Sequence, residues 1–190
     1  FKVGEHPLGP FEKGRSLGFT LAQWMAATGD GTYRVEGANA RLNISFKGLI
    51  TDGVYTVWCS RITSPPSPKI VDKPCGAEDG SENSFKADDT GSGSFRLKLK
   101  PLEQSTKDTA TIISLVYHSD NKTYGASPGD FGLNSHVQIF YMLPETEEEK
   151  AKYQVPVKFV NHIDAGFPEQ DVFIELEEKK EDAMPEEKEE

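Results

Sequence analysis

Basic side chains, cysteine, histidine and long apolar runs are all scarce in this chain, and each scarcity excludes something. No apolar stretch approaches the ~20 residues of a membrane-spanning helix, so no membrane span is expected. Lys and Arg number 21 against 31 Asp and Glu, a formal charge of −10. With no basic stripe legible along the chain, nucleic acid is not expected as a partner. Catalytic signatures are missing as well: there is no GxSxG elbow, HExxH, P-loop or GxGxxG. The four histidines, His6, His118, His136 and His162, are scattered. Ser119 beside His118 is adjacency only, whereas a triad is defined by partners that meet in space. The expectation is a protein that is not an enzyme.

Cysteine is nearly absent, and the two that occur are informative. Cys59 and Cys75 lie 16 positions apart around Ser64-Pro65-Pro66-Ser67-Pro68, without CxxC, haem-attachment or zinc-finger spacing. A disulfide closing this loop is the favoured reading, worth roughly 3 kcal/mol by loop-closure entropy, and it implies an oxidising compartment. Two buried free thiols are the competing reading. The chain opens on Phe1 rather than Met, which reads as a preceding segment either removed or left out of the numbering. A secreted or extracellular location is expected, the periplasm and cell surface included. Asn43-Ile44-Ser45 and Asn121-Lys122-Thr123 fit the N-glycosylation sequon, used only in a glycosylating host.

What is present is one domain with appendages. The 190 residues are 36% hydrophobic and 10% aromatic, enough for a core. Residues 1–16, rich in Gly and Pro, read as an extended arm. Thr20-Leu21-Ala22-Gln23 has the form of a capping box, and Leu21, Trp24, Met25 and Thr28 at helical spacing predict one short helix over 20–28. The period then changes to two. Ala40, Leu42, Ile44 and Phe46 alternate with polar neighbours, and Val54 to Cys59 follows after Asp52-Gly53, which together predict a hairpin. A second hairpin is predicted from Ser84–Ala87 and Ser94–Leu99 around Asp88-Asp89-Thr90-Gly91-Ser92-Gly93. Thr111–Tyr117 reads as a central strand, His136–Leu143 as its successor, and Val155–Ile163 and Val172–Leu176 as late strands. Glu145–Lys152 fits a helical turn. Short strands with turn signals and one small helix predict an antiparallel β-sandwich, mainly β, over residues 17–163. Trp24, Phe46, Trp58, Phe95, Leu97, Ile113, Leu115, Val137 and Ile139 are its expected buried residues. Residues 164–176 then form a linker and late strand, and 177–190 an acidic tail that is disordered or held by a partner.

Charge is unevenly placed. Residues 169–190 hold 11 acidic and 3 basic side chains, a net of −8, which leaves −2 for the other 168.

The segment with most chemical potential runs from His118 to His136. If the flanking strands pair, both imidazoles lie at one end of the sandwich, with Asp120 and Asp130 in the loop between them. Two histidines with one or two carboxylates could hold Zn, Cu or Fe. The competing reading is that His, Asp and Asn serve the loop's own backbone groups. A blue-copper centre is disfavoured because Cys59 is assigned to the disulfide and Met142 reads as a core filler. Asp88 and Asp89, with glycines following, offer hard oxygen ligands for Ca, though such segments are mostly hairpin turns.

Val54-Tyr55-Thr56-Val57-Trp58, Tyr117-His118-Ser119-Asp120 with Lys122-Thr123-Tyr124-Gly125, Pro128-Gly129-Asp130-Phe131-Gly132 and Ser135-His136-Val137-Gln138 form a distinctive set. In these, and in Leu17–Trp24, the chain resembles an uncharacterised family of secreted prokaryotic β-sandwich proteins across roughly residues 16–144. The resemblance implies an exported β-sandwich and carries no activity. At fold level the pattern is also similar to immunoglobulin-like and cupredoxin-like sandwiches, without copper ligands. The function expected is a secreted, non-catalytic structural, adhesive or binding subunit, without a cofactor. Its strand Val172, Phe173, Ile174 and Leu176 would add to a sheet edge, in the same subunit as the favoured outcome or in a neighbour, where the exchange would build a ring or filament of identical subunits. The alternative is a Cu- or Zn-binding exported protein using His118 and His136.

Overall fold

Alternating apolar residues dominate the chain after residue 28, and the architecture follows that period. The computed structural model describes residues 17–63, 69–143 and 154–159. In chain order it contains α1 (Leu21–Met25), β1 (Thr28–Glu36), β2 (Asn39–Lys47), β3 (Val54–Thr63), β4 (Ile70–Val71), β5 (Ser84–Lys86), β6 (Gly93–Leu99), β7 (Thr109–His118), β8 (Ser135–Met142) and β9 (Gln154–Phe159). Sheet A has the order β6-β2-β1-β9, and sheet B the order β4-β3-β7-β8 with β5 also on β3. All these strand pairs are antiparallel. The chain is therefore a mainly β, sandwich-type fold with one short helix. Among the described residues no helix is long and apolar enough to cross a membrane.

The core lies between the sheets. Leu42, Ile44 and Phe46 from β2 and Phe95 and Leu99 from β6 meet Tyr55 and Val57 from β3, Ile113, Leu115 and Tyr117 from β7, and Ile139 from β8. Phe85 stacks between Phe46 and Tyr55, with ring centroids 5.4 and 5.6 Å away, an offset geometry favoured by aromatic quadrupoles.

Several expectations are corrected. The capping box is present, with Thr20 accepting from the Gln23 amide and Gln23 reaching back to the Thr20 amide. The helix ends at Met25 rather than 28, because β1 claims Thr28 onward. Neither predicted hairpin exists as drawn. β2 and β3 belong to different sheets, and so do β5 and β6, so each intervening turn carries the chain from one layer to the other. The tight hairpin is instead β1–β2, closed at Glu36↔Asn39. Trp58 is buried but projects from the opposite face of sheet B to Tyr55, Val57 and Cys59, and does not join the core. Trp24 and Leu97 are only half-buried against it. Val137, expected inside, is 42% exposed. A β-bulge opposite Leu115/Val116 inserts Gln138 as an extra residue, which turns His136 inward and Val137 outward. The arm 1–16, the turn 145–152, the strand Val172–Leu176 and the tail 177–190 lie outside the described residues; of the expected strand Val155–Ile163, β9 covers the part to Phe159.

The two cysteines are joined, Cα to Cα 5.1 Å. Their bond fastens a discontinuous edge onto β3. β4 pairs Ile62 and Arg61, the Cys59 amide donates to Lys73 O, the Cys75 amide donates to Val57 O, and β5 pairs Thr56 to Val54. Both cysteines are buried.

Candidate functional site

β7 and β8 deliver the two histidines to one end of sheet B, as their pairing required. The register separates them across the sheet. His118 stands opposite Ser135, and His136 opposite Tyr117, one position along each strand. Successive side chains alternate faces, so His136 turns inward beside Trp24 and Tyr117, while His118 turns outward with Thr56. The cross-strand histidine pair drawn from sequence does not form.

His118 is wholly buried, and its environment fixes its proton. The Trp58 indole Nε1 can only donate, and it donates to Thr56 Oγ1 at 2.7 Å. Thr56 then directs its own hydrogen to His118 Nε2, 2.7 Å away. That places the imidazole proton on Nδ1, which donates to Ser135 Oγ at 3.2 Å, and Ser135 passes its hydroxyl hydrogen to Pro128 O. The network assigns a neutral, Nδ1-protonated ring. Burial pushes its pKa down to about 4, against the pull of the Asp120 carboxylate and with a further push from His136. Burial also lowers the pKa of His136, again opposed by Asp120. His136 Nε2 lies 3.0 Å from Ser119 Oγ. Ser119 is buried and its amide donates to Asn134 O; among the described residues no carboxylate bonds the other nitrogen of His136.

The loop from Ser119 to Asn134 is built around its polar side chains. Asp120 Oδ1 accepts from the Lys122 amide, and Asp120 Oδ2 accepts from the Tyr124 hydroxyl. That hydrogen bond raises the Tyr124 pKa to about 12. Asn134 Nδ2 donates to the same hydroxyl, and Asn134 Oδ1 accepts from the Asp130 amide. Asp130 contributes its carbonyl, which accepts from the amides of Leu133, Asn134 and Ser135. The loop also leans on residues 76–83. At Gly80, φ +75°, an added Cβ would stand 2.0 Å from Gly125 O, an approach only glycine permits.

Asp120 is thus engaged within the loop through its carboxylate and His118 by hydroxyls, whereas Asp130 is engaged through its backbone and its side chain is exposed. Among the described residues no group of three His, Cys, Asp or Glu side chains is placed to hold a metal ion. Asp88 Oδ1 accepts from the amides of Thr90 and Ser92 and from Thr90 Oγ1; the Thr90 hydroxyl and the Ser92 amide hold its carboxylate below the usual range. Asp89 is exposed next to it. Both sequon asparagines are exposed, Asn43 on the outer face of β2 and Asn121 in the loop at φ 58°.

Sequence reasoning missed two sets of residues. Thr56, Trp58 and Ser135, which complete the His118 chain, come from three separated segments and share no local motif. The second set overturns the expectation of no basic stripe. Arg34, Arg41, Arg96 and Lys98 share the outer face of sheet A, and its signal in the sequence was the alternate pair Arg96 and Lys98 of β6. Comparisons of the chain with protein-family models, curated proteins and solved structures find no match.

Proposed function

We propose that this chain serves outside the cytoplasm as a non-catalytic structural, adhesive or binding subunit that joins its neighbours through sheet edges. The observation that carries this reading is the chemistry of the edges. Natural edges are guarded by charge, proline or brevity. β9 carries Pro156, and β6 carries Arg96 and Lys98. β4, at one end of sheet B, is two residues long. At the other end, β8 is eight residues long, holds no Lys, Arg, Asp, Glu or Pro, and exposes Val137 (42%) and Met142 (38%). A strand such as Val172-Phe173-Ile174-Glu175-Leu176 is suited to such an edge, with backbone pairing for affinity and apolar side chains for register. The buried Cys59–Cys75 bond suits an oxidising exterior.

Sedimentation velocity of the full chain and of a chain ending at Pro168 tests the reading. The expected result is concentration-dependent oligomers for the full chain and monomers for the shorter one. Equal oligomers in both, or monomers in both, overturn strand exchange between subunits through Val172–Leu176.

A further inference from the structure

Sheet A presents a face that the linear sequence conceals. Arg34 on β1, Arg41 on β2 and Arg96 and Lys98 on β6 are all exposed on its outer side. Register places Arg34 opposite Arg41, and Arg41 opposite Lys98, so three cations form one row across three adjacent strands. Arg96 follows in a neighbouring row, opposite Asn43. Strands lie about 4.8 Å apart, and like charges directly opposite one another destabilise a sheet. One carboxylate answers the row: Glu36 lies 2.9 Å from Arg41 Nε and 3.7 Å from Arg34 Nε. Among the described residues Arg96 and Lys98 have no carboxylate partner. Asp30, the other acid of β1 on that side, stands two rows away from Arg34, opposite Ser45.

The matching opposite charge is in the same chain. Residues 177–190 hold 8 acidic and 3 basic side chains, a net of −5. The chain leaves β9 at Phe159, which pairs Gly29 within this same sheet. Residues 160–176 could span roughly 55 Å when extended, whereas four strands are only about 15 Å across. Every cation of the face is therefore within reach of the tail. Tethering raises the effective concentration of such a tail to the order of millimolar, which favours it over free anions of similar strength.

We propose that the acidic tail, residues 177–190, docks within its own chain on the outer face of sheet A across Arg34, Arg41, Arg96 and Lys98. The contact is multivalent and electrostatic, and it neutralises a row of cations that would otherwise repel. It is independent of strand addition at the edges, because a chain ending at Leu176 keeps Val172–Leu176 and loses only the tail.

Zero-length carbodiimide coupling joins a lysine amine to a carboxylate in contact with it, and Lys98 is the reporting amine. A mixture of ¹⁵N-labelled and unlabelled full chains separates products within one chain from products between chains. The expected product links Lys98 to a glutamate or aspartate of 177–190 within one chain. Its yield should fall at least about five-fold between low salt and about 1 M salt, as the screening length shrinks to about 3 Å. It should fall comparably at low salt in the triple variant Arg34→Gln, Arg41→Gln, Arg96→Gln, whose exposed positions leave the melting transition in place as a check of folding. A synthetic polyanion should also bind the chain ending at Leu176 several-fold more tightly than the full chain. Four results would overturn the proposal: coupling of Lys98 only to Glu145, Glu147, Glu148 or Glu149; coupling only between chains; no Lys98 product although a small free carboxylate couples there; or polyanion binding equal in the two chains.

Discussion

At the scale of single residues, His118 is the group on which most depends. Its folded-state pKa is held near 4 by burial, while in the unfolded chain an imidazole titrates near 6.5. Between those values the unfolded chain binds a proton that the folded one refuses. Stability is therefore full above about pH 6.5, falls as the pH drops towards 4, and loses on the order of 3 kcal/mol across that window. His136, shifted the same way by burial, adds to the slope. Urea midpoints at pH 7, 5.5 and 4 should record the fall, and His118→Gln should flatten it; an unchanged slope in that variant would assign the dependence to other groups. Thr56→Val is the sharper structural probe. It removes the acceptor of the Trp58 indole and the donor to His118 Nε2, leaving two buried polar groups unmet at about 1–3 kcal/mol each. The position of His118 and His136 at the ends of paired strands was legible in the sequence. Their partition to opposite faces was not, because it depends on a one-residue offset of β7 on β8. The bulge at Gln138 that moves Val137 outward was equally hidden, since it depends on how two strands align and has no local signature.

At the scale of elements, alternation identified most strands and said little about which would pair. β1 was missed because Thr28-Gly29-Asp30-Gly31 has the composition of a turn, yet Gly31 is needed there: a Cβ would stand 2.0 Å from Asn43 O on β2. The two expected hairpins failed for one reason. Adjacent strands in sequence usually pair, but Leu42 and Tyr55, like Phe85 and Phe95, reach the same core from opposite sheets. The edge of β3 shows how the elements depend on the disulfide. β4 and β5 are two and three residues long, too short to hold alone, and Cys75 pins the segment between them. Reduction should cost roughly 3 kcal/mol and should open this edge before the rest. Hydrogen exchange at the amides of Val57, Cys59 and Cys75 should accelerate in reduced protein while that of β7 changes little; uniform acceleration would mean that the edge and the sheet unfold together. Gly80→Ala tests the seam between the two loops. With φ at +75° and Gly125 O in the way, the substitution should cost about 1–3 kcal/mol. It should raise exchange across residues 119–134 more than across β6.

At the scale of the whole molecule, the charge sum and its placement say different things. The total of −10 was legible from composition, and so was its concentration near the C-terminus. The cationic face was not, because Arg34, Arg41 and Lys98 come from segments whose pairing only the sheet order reveals. That juxtaposition has a thermodynamic consequence that depends on the tail. In a chain ending at Leu176, Lys98 faces Arg41 as an uncompensated like charge, so Lys98→Gln should be neutral or stabilising by a few tenths of a kcal/mol. In the full chain the same residue answers the acidic tail, and Lys98→Gln should destabilise by a similar amount. Adding Arg96→Gln should widen the gap, to a coupling of about 1 kcal/mol at low ionic strength for the pair. Salt should close that gap as exposed charges become screened. Denaturant unfolding of the four chains, with and without the tail and with and without the double substitution, measures the coupling directly. A coupling of zero at low salt would mean that the cations of sheet A and the acids of the tail do not meet in the folded chain.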